Sequence, residues 1–240
     1  MKFLVLQHIA VEHPGILRDF MAADGIRWDA VELDAGEPIP PIKNYDALIV
    51  MGGPMDVFDE NLHPWLVEEK RVIRDWVKAG RPYLGLCLGH QLLADALGGK
   101  VERMARPEVG ILSIELTEAG RAAPLFAKLD PVMLCLQWHG CEVGVLPPGG
   151  VGLARSPACA IQAFRIGERA YGLQYHVELT AHTIAEWGAV PAYAESLERS
   201  FGSAGLAKLE ADAKAHLAGF AADARKLYDN FRTLVAAART

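Results

Sequence analysis

From residue 3 to residue 97, short β-rich runs, most of them continuously apolar, alternate with stretches of helical period. Phe3-Leu4-Val5-Leu6, Trp28 to Leu33, Ala47-Leu48-Ile49-Val50-Met51 and Tyr83-Leu84-Gly85-Leu86-Cys87 read as strands. Ile16 to Ala23, Leu62 to Ala79 and Gly89 to Leu97 read as the helices between and after them. A strand with no polar face must be covered on both sides, so this pattern points to a largely parallel sheet covered by helices on both faces. In the middle helix Leu66, Ile73, Trp76 and Val77 form the apolar side, with Glu68, Glu69, Lys70, Arg71 and Arg74 opposite. Gly80 closes it. Beyond Gly98-Gly99 the texture changes. Ile111 to Thr117, Val132 to Trp138, Ala160 to Ile166 and Tyr171 to His176 are strand-like, with a Pro147-Pro148-Gly149-Gly150 turn among them. From Ala181 the chain is Ala-rich and helical, and Lys208 to Ala238 carries Leu209, Leu217, Phe220, Leu227, Phe231 and Leu234 at helical spacing. The reading is an α/β domain over 1–180 and a helical C-terminal extension over 181–240 packed on it. Such a stripe more often serves packing than a contact between copies in a homo-oligomer.

Composition removes whole classes of function. Lys plus Arg number 24 against 30 Asp plus Glu, and 51% of the 240 residues are apolar. A chain this long and apolar buries a core without disulfide or metal staples. The mild acidity, with no dense basic run, offers nothing to nucleic acid or to anionic lipid. No eighteen apolar residues run together, so no membrane-spanning helix is expected. MKFLVLQHIA is too short an apolar stretch for an export signal, which makes a reducing cytoplasm the expected location. Cys87, Cys135, Cys141 and Cys159 show neither a CxxC pair nor zinc-finger spacing, so they are expected as free thiols with no metal.

One thiol has a special setting. Gly85-Leu86-Cys87-Leu88-Gly89-His90-Gln91 places Gly-x-Cys-x-Gly where an apolar strand meets a helix. That is the form of a nucleophile elbow, a sharp turn that lifts one side chain above the sheet's carboxyl edge. The helix N-terminus beyond it favours a thiolate, and the Leu88 N–H faces an oxyanion forming beside the sulfur. A cysteine nucleophile needs a base, and the base an orienter. Among eight histidines, His8, His13, His63, His182 and His216 have no distinctive setting, and His90 points down its helix. His139 has no acid at alternate spacing. In Gly172-Leu173-Gln174-Tyr175-His176-Val177-Glu178, period two puts Gln174, His176 and Glu178 on one face, so Glu178 can hold the His176 imidazole. Met51-Gly52-Gly53-Pro54-Met55 ends the third strand with backbone N–H groups able to approach a ligand.

A Gly-Gly-Pro loop, then Gly-x-Cys-x-Gly-His-Gln, then Trp138-His139-Gly140, then Gln-Tyr-His-x-Glu, in this order, resembles the class I glutamine amidotransferases. The likeness is to stand-alone proteins akin to the glutaminase domain of GMP synthase. It covers about residues 45 to 180, includes Glu108-Val109-Gly110, and leaves out the helical C-terminal part. The resemblance implies a flavodoxin-like three-layer α/β fold, its mixed, mostly parallel sheet sandwiched by helices, with a Cys87, His176, Glu178 triad. It further implies an oxyanion hole from the N–H groups of Gly53 and Leu88. The substrate's amino-acid end would meet Gly52, Gln91, Trp138, His139 and Gly140. By the same analogy a γ-glutamyl amide is hydrolysed through a thioester, releasing glutamate and ammonia without metal or other cofactor. There are two departures. Val177 stands where the family usually has Pro, and Cys141 where its His-Gly-Asp has the acid.

The sequence has neither a P-loop nor Gly-x-Gly-x-x-Gly, so an ATP-using synthetase would be supplied in trans. A γ-glutamyl peptidase acting alone on small conjugates uses the same triad. A silent regulatory subunit needs none of Cys87, His176 and Glu178. An α/β-hydrolase would place its acid far before the His, whereas Glu178 follows His176 by two residues.

Overall fold

The computed structural model describes residues 1–239. Nine strands form one sheet: β1 (Lys2–Gln7), β2 (Arg27–Glu32), β3 (Ala47–Val50), β4 (Tyr83–Leu86), β5 (Lys100–Leu116), β6 (Val132–Val145), β7 (Gly150–Arg155), β8 (Ala163–Ile166) and β9 (Ala170–Leu173). Their order is β2-β1-β3-β4-β9-β8-β7-β5-β6. Pairs from β2 through β9 are parallel, and those from β9 through β6 antiparallel. β4, at the centre, is buried at every position and lies between β3 and β9, so the carboxyl ends of three parallel strands meet there. That edge is where a parallel α/β sheet collects ligand-binding groups.

Helices cover both faces. On one, α2 (Trp65–Lys78) and α3 (Leu88–Ala96) pack Leu66, Ile73, Trp76 and Leu92 against Leu48, Val50 and Tyr83. On the other, α1 (Leu17–Ala23) and the second half of α7 (Gly205–Ala237) pack Met21, Leu227, Tyr228, Phe231 and Val235 against Phe3, Val5 and Ile49. α5 (Thr183–Gly188), α6 (Pro191–Phe201) and the first half of α7 enclose a third cluster with Val109, Leu136 and Trp138 of the β5–β6 hairpin. α4 (Glu118–Ala122) closes the β5–β6 connection under an N-cap from Thr117.

Three features depart from the sequence reading. Glu69 and Lys70, on the expected polar side of α2, are buried. Lys70 reaches Glu60 and Asp95 at 2.7 Å each, and Glu69 meets His8 beneath the sheet edge. β7 arises from a Gly-rich segment with little strand propensity of its own, recruited by pairing with β8 and β5. β5 begins at Lys100 rather than Ile111, because a polar arm with a register shift between Arg103 and Glu108 extends the hairpin. Among the described residues, no helix is long and apolar enough to cross a membrane.

Candidate active site

The turn from β4 to α3 forces Cys87 into the left-handed region, at φ 50 and ψ −102. A non-glycine residue held there costs on the order of 1–3 kcal/mol and persists only where packing over-determines it. The two flanking glycines show the packing. A Cβ on Gly85 would stand 2.4 Å from the Gly89 carbonyl oxygen, and one on Gly89 only 2.2 Å from that of Val50. Neither backbone can yield, so α3 reaches β3 and β4 only where side chains are missing. Gly89→Ala is therefore expected to cost about 3 kcal/mol, a fall in Tm of roughly 6–12 °C for a chain this size. A thermal melt coinciding with wild type would refute this packing.

Cys87 meets side chains from the far end of β9. Gln174 donates to its Sγ at 3.6 Å, and the buried His176 imidazole is close enough to the same thiol to interact with it electrostatically. His176 Nδ1 lies 2.7 Å from Glu178 Oε1, whose other oxygen accepts the Val177 N–H at 2.9 Å. Proline, which has no N–H, could not make that contact, so Val177 adds a donor to the carboxylate. Tyr175 and Val177 point the other way into the core, as period two requires. Burial opposes charge on His176, but Glu178 and then Cys87 outweigh it and raise its affinity for a proton well above the usual histidine range. Trp187 of α5 packs edge-to-face with the His176 ring, centroids 4.7 Å apart, and donates to the Val11 carbonyl at 3.0 Å.

A cleft of about 240 Å³ opens over the sulfur. Gly53, Leu88, Gln91, Trp138, His139 and Gly140 line it with Cys87, whereas Gly52, His176 and Glu178 sit behind its wall. Gln91 Nε2 bridges the Cys141 carbonyl and Gln174 Oε1, both at 3.1 Å. Its N–H bonds to the Cys87 carbonyl, one turn of helix back. His139 Nδ1 donates to the Cys141 carbonyl at 2.9 Å.

His139 does have an acid, though not at alternate spacing. Strand register sets Glu108 opposite it, and Oε2 lies 3.3 Å from Nε2. Burial would raise the Glu108 carboxyl, but His139, Ser156 and Gln162 hold its charged form and bring it below its ordinary value. Nor is the Cys141 position short of a carboxylate: the thiol donates to Asp56 Oδ1 at 3.0 Å, and Asp56 pairs with Arg103 at 2.8 Å. Burial first, and then Asp56, keep the Cys141 thiol protonated. His90 is buried edge-on to Phe164, and burial pushes it down to about 3, a neutral packing group.

Four further buried polar residues, His8, Glu12, Glu69 and Tyr193, stand around the site without a local sequence motif. His8 and Glu69 form an ion pair beneath the Gly52-Gly53 loop, while Glu12 accepts from the Tyr193 hydroxyl at 2.5 Å. Tyr193 lines the cleft beside Ala192, Glu195, Ser196 and Arg199, so α6 forms one wall. Of these only Tyr193 left a sequence trace, as an aromatic among alanines.

A family model described as glutamine amidotransferase class-I matches residues 17–186. The chain belongs to this family. As a class I glutamine amidotransferase it resembles a glutamine amidotransferase-like protein, YfeJ, of Salmonella typhimurium, 34% identical over 66% of this chain and 67% of the relative. One subunit of the glutamine-hydrolysing GMP synthase of Sulfurisphaera tokodaii is 31% identical over 63% of this chain and 77% of its own. A solved glutamine amidotransferase of Thermotoga maritima superposes with a TM-score of 0.86 at 26% identity, over 98% of both chains. Another, from Methylobacillus flagellatus, gives 0.85 at 28% identity, over 97% of this chain and 94% of its own. Both likenesses run through the C-terminal helices, which the family model leaves uncovered.

Proposed function

We propose that this amidotransferase hydrolyses glutamine with Cys87 as nucleophile, His176 as general base and acid, and Glu178 as its orienter. The observation that carries the reading is the strained Cys87 elbow standing between the cleft and the Gln174, His176, Glu178 face. Sγ attacks the γ-carbonyl carbon, and the oxygen takes up the charge beside the N–H groups of Gly53 and Leu88. Leu88 is the first residue of α3, where an N–H has no intrahelical acceptor. The His176 imidazolium gives its proton to the departing nitrogen, and ammonia leaves a γ-glutamyl thioester. His176 then takes a proton from water, whose oxygen attacks the thioester, freeing glutamate and the sulfur. Gln91, Trp138, His139 and Gly140 hold the amino-acid end, with Gly52 shaping the loop behind and Asp56 supplying a carboxylate at Cys141. GMP synthase relatives named as subunits favour delivery of ammonia to a synthetase in trans.

One observation favours a second reading. Glu195, Ser196 and Arg199 give the cleft a polar wall from α6 that free ammonia does not need. A γ-glutamyl conjugate with a larger amine would use it. Glutamate release by the purified chain from glutamine, γ-glutamyl amides and γ-glutamyl dipeptides separates the two. Selective turnover of glutamine is expected; rapid turnover of dipeptides with glutamine ignored would make it a peptidase, and silence on all of them would sink both readings.

A further inference from the structure

The first residue after β1, His8, is wholly enclosed and spans two partners. Its Nδ1 lies 2.8 Å from the Gly52 carbonyl oxygen, and its Nε2 lies 2.9 Å from Glu69 Oε1. Neither side chain of the His8–Glu69 pair has any exposed surface. A carbonyl oxygen only accepts, so Nδ1 must carry a hydrogen and donate. Nε2 then shares a further proton with Glu69, in line with the raised proton affinity of His8: burial lowers it, but the Glu69 charge and hydrogen bond outweigh burial. Trp65 stacks on the ring at 5.5 Å and 17°, the placement that favours a cationic imidazole. Glu12, in the loop after β1, and Glu32, at the end of β2, are further charged neighbours of His8.

The Gly52 carbonyl and the Gly53 N–H belong to one planar trans peptide, so they point in opposite directions. Whatever holds the carbonyl down aims the N–H up. The carbonyl is held beneath the sheet edge, while Gly53 faces the cleft with Cys87 and Leu88. Gly53 is gripped from both sides: a Cβ there would come 2.8 Å from His8 Cβ and 3.0 Å from Leu88 Cδ2. Two consecutive glycines otherwise leave this peptide free to turn over. A cationic donor on the carbonyl also polarises the peptide and strengthens its N–H as a donor.

We infer that His8, held by Glu69, is a positioning residue that fixes the Gly52–Gly53 peptide so that the Gly53 N–H points at the oxyanion. The inference rests on the proposed γ-glutamyl chemistry at Cys87. It also gives work to a pair whose histidine lies before the residues that the family model matches.

The test uses the full chain. The double variant His8→Leu, Glu69→Met removes the donor without stranding a buried charge. His8→Asn, Glu69→Gln keeps an amide N–H near the Nδ1 position. The first should lower kcat for amide hydrolysis by about 100-fold, the loss typical of one oxyanion donor, with KM within about twofold. The second should restore about tenfold of that loss. Alkylation of Cys87 by iodoacetamide, which forms no oxyanion, should proceed at the wild-type rate. Binding of a γ-glutamyl aldehyde, which forms one, should weaken in step with kcat. Equal losses in alkylation and aldehyde binding, or full activity in the Leu/Met variant, would overturn the inference. Two readouts need neither turnover nor a tolerant variant. Nitrogen NMR of wild-type His8 should show Nδ1 protonated, and a bare Nδ1 would exclude this role. A crystal structure of the Asn/Gln variant should keep the Gly52 carbonyl in place, whereas that of the Leu/Met variant should show it turned; an unmoved peptide in the latter also overturns it. If wild type releases no glutamate from any amide, the functional reading falls, while these two readouts still decide the role of His8.

Discussion

Cys87→Ala should abolish glutamate release, by ~10⁴-fold or more, while leaving the melting temperature within a few degrees of wild type. The activity loss follows because no other group stands where Sγ does, and members of a nucleophile–base–orienter unit fail together when the nucleophile goes. The thermal result follows because alanine keeps the Cβ that already tolerates the positive φ and removes only the sulfur from a partly open cleft. His176→Ala should cost nearly as much. Glu178→Gln should cost about tenfold to a hundredfold less, since the orienter usually contributes less than the groups that exchange the proton. Its amide still accepts from the Val177 N–H but no longer favours an imidazolium. Steady-state glutamate release by the three variants, beside their thermal melts, checks the order. Turnover surviving in Cys87→Ala would remove the nucleophile assignment, and Glu178→Gln falling below His176→Ala would reverse the two roles.

How far these assignments could be read from the sequence depends on the range of the interaction. The Cys87 elbow is local: two glycines, a strand before and a helix after dictate it, and the close approach of backbone explains why each glycine is bare. His176 and Glu178 are two residues apart, so strand alternation alone puts them together. His139 and Glu108 are brought together only by the β5–β6 register, which no local pattern reports. His8 and Glu69 lie 61 residues apart, joined because α2 crosses under the end of β1. The same limit explains Glu69 on the supposed wet side of its helix. A helical wheel shows which residues share a side, but not whether a second, polar contact waits opposite. β7 is hidden for a related reason: its residues form a strand only because neighbours offer both edges.

Ending the chain after residue 180 should leave a product that does not fold. The stripe on α7 is readable in the sequence, but what it covers is not. Leu227, Tyr228, Phe231 and Val235 are all 3% exposed or less and, beside α1, cover one face of the parallel strands, with Phe231 edge-on to Phe3 at 6.2 Å. At ~1.5–3 kcal/mol for each large apolar side chain buried, these four alone match the 5–15 kcal/mol typical of a domain's whole margin. Removal would also bare Met21, Ile49 and Val5 beneath them. Expression of 1–180 should give aggregate, or a species without a cooperative thermal transition; a soluble, cooperatively melting fragment would refute the claim that α7 is a layer of the fold. Two milder variants, one on α7 and one on α6, separate the duties of the C-terminal helices. Phe231→Ala should cost about 3–5 kcal/mol, roughly 6–20 °C in Tm, yet leave turnover near wild type well below the melt, because Phe231 does not line the cleft. Tyr193→Phe removes only the hydroxyl that Glu12 accepts, and should do the reverse, changing turnover more than melting. If both variants lost stability and activity in parallel, the C-terminal helices would be supporting the site only by holding the sheet together.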